Sequence, residues 1–303
     1  MDQHLQVFIA VVERKNFSRA AEELLMTQPA VSQYIRTFEE NIGAKLLERT
    51  SKYVRLTKTG EIVYHHAKEI VGLYTRMQTL VDDLHHHASG PLSIGASFTF
   101  GEYILPHIIA KMQINTPDIE PTVTIGNTKE ITNYMKHHQL DVGIIEGSFT
   151  VSEGMHVEDF AEDHMVVVAS PSHPLALKKA PVIIDELVEE RWILREDGSG
   201  TREATEKIFA EHAMTPTSMM NFGSTQAIKE AVEAGLGISI LSKWAIRREL
   251  QNGQLQMVNV VGYPYTRKFS IVTASPYMTK AQQVFIHLLH HSKEITALPF
   301  DQL

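Results

Sequence analysis

The sequence predicts an α/β protein whose N-terminal part is rich in α-helix and whose C-terminal part folds as two α/β lobes. Three observations carry this reading. The first 57 residues show short helical periods followed by two brief extended stretches. Residues 58 to about 87 hold an unbroken helical pattern. After Ser89-Gly90-Pro91 the rhythm alternates strand and helix, which implies a largely parallel sheet with helices packed on it. The expected domains are 1–57, a linker helix and hinge over 58–90, and a domain over 91–303.

A chain of 303 residues exceeds what one core usually organises, so several domains are expected. Its 43% hydrophobic and 21% charged residues suit a globular protein. No apolar run approaches the ~18 residues that cross a bilayer. Met1-Asp2-Gln3-His4 does not open a secretory signal and there is no cysteine, so a cytoplasmic protein with no membrane partner is expected.

In the first domain, Leu5, Phe8, Ile9 and Val12 mark one face of a helix. A second helix is expected from Ser18 as N-cap through Ala20, Ala21, Leu24 and Leu25. Thr27 caps a third, with Pro29 in the first turn, where a missing N–H costs little. Val31, Ile35, Phe38 and Ile42 recur on one face of that helix and should meet the other helices. Its opposite face carries Gln28, Ser32, Gln33, Arg36 and Glu40. Amide and guanidinium groups make paired hydrogen bonds to base edges, so this face suits the major groove of double-stranded DNA; an ordinary solvated helix face has the same composition. Residues 46–56 read as a β-wing whose Arg49, Lys52 and Arg55 are placed for phosphates or the minor groove. The expected unit is a winged helix-turn-helix. Residues 14–58 hold nine basic against five acidic side chains in a chain of net charge −8, a modest electrostatic footprint for DNA.

Along the linker helix, Val63, Ala67, Ile70, Tyr74, Met77, Val81 and Leu84 repeat as a heptad seam. A helix of this length spans roughly 45 Å at 1.5 Å per residue, too long for the small winged domain to cover. Its seam therefore predicts self-association as a dimer at least, through 58–87.

Beyond the hinge, strands over 92–95, 122–126 and 142–146 alternate with helices over 103–112 and 131–137. Residues 165–169 should cross into a second lobe with strands over 192–195, 219–222 and 238–241 and helices over 202–212, 227–233 and 243–250. A strand over 269–273 and a helix over 280–291 should return to the first. The lobes are thus about 91–162 with 269–303, and about 163–268. Met155, Met219 and Met220 are expected to fill core.

The segments Phe17-Ser18-Arg19-Ala20-Ala21-Glu22-Glu23-Leu24, Thr27-Gln28-Pro29-Ala30-Val31-Ser32-Gln33-Tyr34-Ile35-Arg36, Leu46-Leu47-Glu48-Arg49 and Leu56-Thr57-Lys58-Thr59-Gly60, with Glu39 and Gly43, resemble the LysR-type regulators. The resemblance covers essentially the whole chain. It implies a winged helix-turn-helix, a linker-helix dimer, an effector domain similar to periplasmic solute-binding proteins, and frequent assembly as a tetramer, with RNA polymerase an open further partner. By position, Gln28, Pro29, Ser32 and Gln33 match base-contacting places and Lys52 the wing contact, where Arg is common in the family. Residues 96–106, Gly126-Asn127-Thr128, Ile144-Ile145-Glu146-Gly147 and 195–203 look like the CysL-like branch, associated with control of sulfur assimilation.

Two polar segments follow strands and open helices: Ser97-Phe98-Thr99 and Gly198-Ser199-Gly200-Thr201. Ligands of such sheets bind beyond the carboxyl ends of strands, and helix starts offer free N–H groups, so a small anion bridging the lobes is one reading. Arg202 and Arg195 would add charge, and Asn127, Thr128 and Thr225 would complete the rim beside Glu146 and Gly147. The other reading is that Arg202 pairs with Glu196 or Glu203 and the helix starts cap themselves. A sulfur oxyanion such as sulfite or sulfate follows from the CysL-like resemblance; a non-sulfur metabolite is the alternative.

The sixteen histidines cluster, as at His85-His86-His87, but no run has a partner at a spacing that closes a tetrahedral site, so no metal is expected. There is no phosphate loop, and Asp197 breaks the Gly-x-Ser-x-Gly pattern around Ser199. No catalytic residue and no cofactor beyond the effector are expected. Residues after 90 alone would suggest a solute-binding transport protein.

Overall fold

In a computed structural model, residues 3–49, 53–83, 87–147 and 154–292 are described. The chain divides into two compact units, one up to residue 85 and one from residue 86.

The N-terminal unit holds helices α1 (Gln3–Arg14), α2 (Phe17–Glu23) and α3 (Gln28–Ile42), a hairpin of β1 (Leu47–Arg49) and β2 (Val54–Leu56), and the long α4 (Lys58–Asp82). Asn16, not Ser18, caps α2: its side chain accepts from the N–H groups of Ser18 and Arg19. The helix ends before Leu25, which stands 95% exposed at φ +52° in the turn to α3 instead of extending the apolar face. Thr27 caps α3 through the Ala30 N–H, and Gly43 ends it in the left-handed conformation. That stop leaves Ile42 exposed at the helix end, while Val31, Ile35 and Phe38 are buried against Phe8, Val11 and Ala20.

Glu39 ties α3 to the wing. Its buried carboxylate accepts from the N–H groups of Leu46 (2.9 Å) and Leu47 (3.2 Å) and from the Lys45 ammonium (2.6 Å). Burial opposes its charge, but Lys45 and the two N–H groups outweigh burial and hold the carboxyl below the usual carboxylate range.

The α4 helix packs only its first turns on this core, through Val63, Tyr64 and Ala67. Further along, Ile70, Met77 and Val81 are each more than half exposed, as an unpaired seam requires. The helix ends at Asp82, short of the expected 87, and Leu84 and two of the three hinge histidines, His85 and His86, lie outside the described residues.

The second unit begins with β3 (Gly90–Ser97), α5 (Phe98–Tyr103), α6 (Leu105–Asn115), β4 (Ile119–Gly126), α7 (Thr128–Lys136) and β5 (Val142–Glu146). A single strand, β6 (His156–Ala169), then runs through both lobes, where only 165–169 was expected. The second lobe adds α8 (Pro174–Leu177), a 3-10 turn (Ile184–Leu187), β7 (Arg191–Arg195), α9 (Gly200–Glu211), β8 (Ser218–Phe222), α10 (Thr225–Glu233), β9 (Ser239–Ser242), α11 (Lys243–Gln251) and β10 (Gln256–Met257). The chain returns along β11 (Tyr265–Thr273), four residues earlier than expected, into α12 (Lys280–His291).

The sheet is mixed. Parallel pairs β4–β3–β5 form lobe I, and β8–β7 with a parallel bridge from Trp192 to Ile238 form lobe II, whereas β6 and β11 pair antiparallel with each other and stitch the lobes together, β9 adding to β6 antiparallel. Each lobe buries apolar residues on both faces, lobe I around Phe100, Ile108, Phe269 and Phe285 and lobe II around Trp192, Ile208 and Ile240. Each such fully buried side chain contributes roughly 1.5–3 kcal/mol. Met219 is the exception to the core expectation, 54% exposed on β8, and Met155 precedes β6 and is only partly buried.

Glu39→Gln removes a charged acceptor from two buried N–H groups and is expected to destabilise the N-terminal unit by about 1–3 kcal/mol in denaturant titration. Because folding lowers this pKa, the gap between wild type and variant should be full above about pH 5 and close as the pH falls through the unfolded value of about 4.3 and below it. Replacing Met77 and Val81 with Glu should shift sedimentation toward smaller species, since charge on the seam opposes pairing.

Candidate functional site

In the N-terminal unit α3 presents its polar face outward. Gln28, Pro29, Gln33 and Arg36 are exposed and Ser32 is half-buried. Gln28 donates to the Ser32 hydroxyl (2.9 Å) and Arg36 to Glu40 (3.0 Å), one turn away in both cases, so exposed i, i+4 contacts are all that hold these groups. Such pairs are worth only a few tenths of a kcal/mol and yield readily to a base or a phosphate. The wing places Arg49 over the Phe17 ring at 5.6 Å and Arg55 over the Tyr53 ring at 4.7 Å, with both side chains exposed. Lys52 lies outside the described residues.

In the second unit the ends of β3, β5 and β7 converge, and the side chain at their centre is one the expected set omits. Arg267 of β11 is buried and lies directly across from Asp163 of β6. It donates to Asp163 (2.7 Å), to the Thr201 hydroxyl of α9 (3.1 Å) and to the Thr99 hydroxyl of α5 (3.1 Å), and stands 3.6 Å from the Glu146 carboxylate. Burial favours loss of its proton, but Glu146 and Asp163 overcome that and hold the guanidinium above its ordinary value. Glu146 in turn accepts from Ser97 (2.5 Å) and Thr99 (3.0 Å), while Ser242 donates to Asp163 (2.6 Å).

The hydroxyls expected to receive an anion at the start of α5 are therefore engaged by the protein's own Glu146. The lobes also touch closely here: a Cβ on Gly200 would lie 2.1 Å from the Glu146 carbonyl oxygen, and Gly147 turns at φ +90° against the same helix start. Thr128 donates to that Glu146 carbonyl (2.9 Å), and the Lys129 N–H reaches the Gly198 carbonyl at 3.2 Å.

Arg195 is fully buried. It binds Glu196 through two 2.7 Å hydrogen bonds, donates to Thr225 (2.9 Å) and lies 4.5 Å over the Phe98 ring. Asn127 caps α7 and reaches Glu196 at 3.4 Å. Arg202 pairs with Glu206 (2.5 Å) and Asn221 (2.6 Å), not with Glu196 or Glu203. Ser199 begins α9 without a side-chain cap.

A cleft of about 400 Å³ opens beside this cluster, between α7 and α9. Thr128, Ser199 and Arg202 of the expected set line it. So do Lys129 and Lys136, absent from that set, and no other described side chain pairs with either ammonium. Arg267 had a signal in the sequence: it shares one face of its strand with Phe269 and Ile271, both buried, so a charge stands where the period of two demands an apolar residue. Asp163, in step with Met165 and Val167, carries the same signal. The two lysines carried none, because a lysine on an amphipathic helix reads as solvated surface.

No helix among the described residues is long and apolar enough to cross a membrane. Two family models match: bacterial regulatory helix-turn-helix protein, lysR family, over residues 3–61, and LysR substrate binding domain over residues 85–293. The HTH-type transcriptional regulator CysL of Bacillus subtilis is 40% identical over 94% of this chain and 95% of its own length. The HTH-type transcriptional activator CmpR of Synechocystis sp. is 33% identical over 96% of this chain and 95% of its own. Full-length CbnR complexed with its target DNA shares the fold at a TM-score of 0.72 and 19% identity, covering 96% of this chain and 99% of that one. The regulatory domain of Synechocystis CcmR in complex with 2-PG gives a TM-score of 0.60 at 27% identity, over 67% of this chain and 96% of that one. These matches run through both units, which sets aside the solute-transport reading of the second unit alone, and the chain belongs to the LysR family of transcriptional regulators, whose members are regulators and not enzymes.

Proposed function

We propose that this chain acts in the cytoplasm as a DNA-bound dimer, or a pair of dimers, that responds to a small sulfur oxyanion such as sulfite or sulfate in the cleft between α7 and α9. Two copies joined along α4 would set their α3 helices into major grooves of inverted half-sites about one helical turn apart, with Arg49, Lys52 and Arg55 of the wing on flanking backbone. The observation that carries the effector reading is the pair of unpartnered ammonium groups, Lys129 and Lys136, facing the uncapped start of α9 and Arg202 across a cleft of about 400 Å³. Asp197, Glu203 and Glu206 also line the cleft and Glu206 is paired with Arg202, so the attraction for an anion comes from the two lysines of α7 together with the N–H groups at the start of α9. The sulfur class rests on similarity to CysL, a regulator 40% identical over nearly the full length.

Ligand that prefers one closure of the lobes shifts their equilibrium, and with it the arrangement of the paired dimers and the bend of the DNA. Ser97, Thr99, Glu146, Arg195, Thr201 and Thr225 then act behind the ligand: they set how the lobes close on it.

Gln33→Ala is expected to relax base preference at one operator position by about 1–3 kcal/mol, whereas Arg36→Ala should weaken all sequences alike and lower the salt slope by about 1. Anisotropy titrations across salt concentrations separate the two; wild-type behaviour of both variants would remove α3 from the interface.

For the effector, thermal denaturation of the full chain with sulfite, sulfate, thiosulfate, phosphate and nitrate should show a selective rise with a sulfur anion, since a ligand bound only to the folded state raises the melting temperature. The rise should vanish in Lys129→Ala/Lys136→Ala. A flat panel discards the anion reading, and a rise with phosphate or nitrate alone moves the effector out of the sulfur class.

A further inference from the structure

We infer that the effector domain holds a second small-molecule site, separate from the α7–α9 cleft, which takes a small zwitterion of the free amino-acid class. The site is a cavity of about 360 Å³ where α5 and α6 of lobe I face α10 and α11 of lobe II, a volume within the roughly 300–1,000 Å³ usual for ligand pockets. Tyr103, Lys229, Trp244, Arg247, Arg248 and Glu249 line it. It shares no lining residue with the cleft between α7 and α9.

Two residues of this lining each carry a buried polar atom with no hydrogen-bond partner among the described residues: the indole N–H of Trp244 and Oε2 of Glu249. Buried polar groups are nearly always paired, so an orphan donor and an orphan acceptor on one cavity wall call for an explanation. Their neighbours do not supply it. Lys229 is buried and donates to the other Glu249 oxygen (2.6 Å) and to the Ala245 carbonyl (3.0 Å), with its ammonium 5.1 Å from the Tyr103 ring centre. Tyr103 is pushed upward by burial, and by Glu102 and Glu249, so its hydroxyl keeps its proton at any ordinary pH, and it donates that proton in a hydrogen bond to Glu102. Arg247 and Arg248 have no partner among the described residues.

The chemistry of these groups selects the ligand. The indole N–H needs an acceptor, and two unpaired guanidinium groups on the same lining make an anionic acceptor the favourable one. Glu249 Oε2 needs a donor and, being a carboxylate oxygen, favours a cationic one. A molecule carrying a carboxylate and an ammonium a few bonds apart answers both. A simple inorganic anion answers only the first, and that distinguishes this cavity from the cleft between α7 and α9.

Full-length protein titrated with the free L-amino acids at millimolar concentration tests this, read by tryptophan emission and by melting temperature. Trp244 is one of only two tryptophans, and the other, Trp192, has its indole N–H bound to the Leu187 carbonyl in the lobe II core. At least one amino acid should shift the emission saturably and raise the melting temperature, while its N-acetyl and amide derivatives, each lacking one charge, should not. By calorimetry, Trp244→Phe should weaken that binding roughly fivefold or more through loss of one hydrogen bond. The variant should still unfold cooperatively with only a modest fall in melting temperature, because a phenyl ring replaces part of the buried indole while the orphan donor is removed. Arg247→Gln should weaken binding further, and Lys129→Ala/Lys136→Ala should leave it unchanged. Binding that survives Trp244→Phe and Arg247→Gln, equal binding of the singly charged derivatives, or no binding by any amino acid would each overturn the proposal; in the last case water alone satisfies the two atoms.

Discussion

The buried guanidinium of Arg267 is the constraint on which the effector domain turns. It is held at once by β6 through Asp163, by α5 through Thr99, by α9 through Thr201 and, at longer range, by β5 through Glu146. Taking such a charge out of water costs several kcal/mol, which only well-placed partners offset. Removing one partner therefore costs about 3–5 kcal/mol, far more than the pair contributes when intact, because the other charge is left buried and alone. Two lobes joined this way are coupled by an all-or-none contact. Any small separation of α5 from α9 breaks bonds to a group that finds no cheap substitute, so a sub-ångström shift imposed by a bound effector would be converted into a discrete change of closure.

The same cluster explains why the cleft between α7 and α9 is the better place for an anion than the junction of helix starts. The junction holds two carboxylates, Glu146 and Asp163, against one guanidinium, and Glu146 already accepts from the Ser97 and Thr99 hydroxyls. A second anion there would displace a bonded carboxylate and meet the other at low dielectric, where like charges repel strongly. The cleft is also lined by Asp197, Glu203 and Glu206, but Lys129 in the first turn of α7 and Lys136 in its last are paired with none of them, so an anion there displaces no bonded carboxylate from either ammonium.

Most of the architecture was legible because periodicity and turn chemistry report local structure directly. Thr27, Pro29 and Gly43 bounded α3, and the apolar repeat of α4 exposed a seam that the small domain leaves uncovered. Asn16 was missed as a cap because Asn and Ser are both good N-caps and only the φ, ψ of the chain decides between them. The site was half legible. Residues at strand ends are found from sequence order, which brought out Ser97, Thr99, Glu146, Arg195 and Thr201; their partners are set by tertiary register. That Arg267 falls opposite Asp163 depends on the antiparallel alignment of strands 104 residues apart in the chain, which no local pattern encodes. The alternative partners expected for Arg202 differ for a related reason: its helical neighbour Glu206 and the strand residue Asn221 claim it before Glu196 or Glu203.

One short helix, α5, lines the second proposed site and reaches the Arg267 cluster beside the first. Thr99, at the start of α5, is bonded to Arg267, and Tyr103, at its end, stands on the wall of the second cavity, about 6 Å away along a helix at 1.5 Å per residue. Lobe II meets this helix at both ends, with α9 beside Thr99 and α11 beside Tyr103. A ligand that draws α11 onto α5 acts on the same lobe-to-lobe equilibrium as a ligand that draws α9 onto α7. Thermodynamic linkage then requires each to alter the affinity for the other by the same factor, in whichever direction the two closures agree or conflict. On the proposed reading, a regulator built this way would sense two metabolite pools through one lobe-to-lobe equilibrium, with the single turn from Thr99 to Tyr103 joining them.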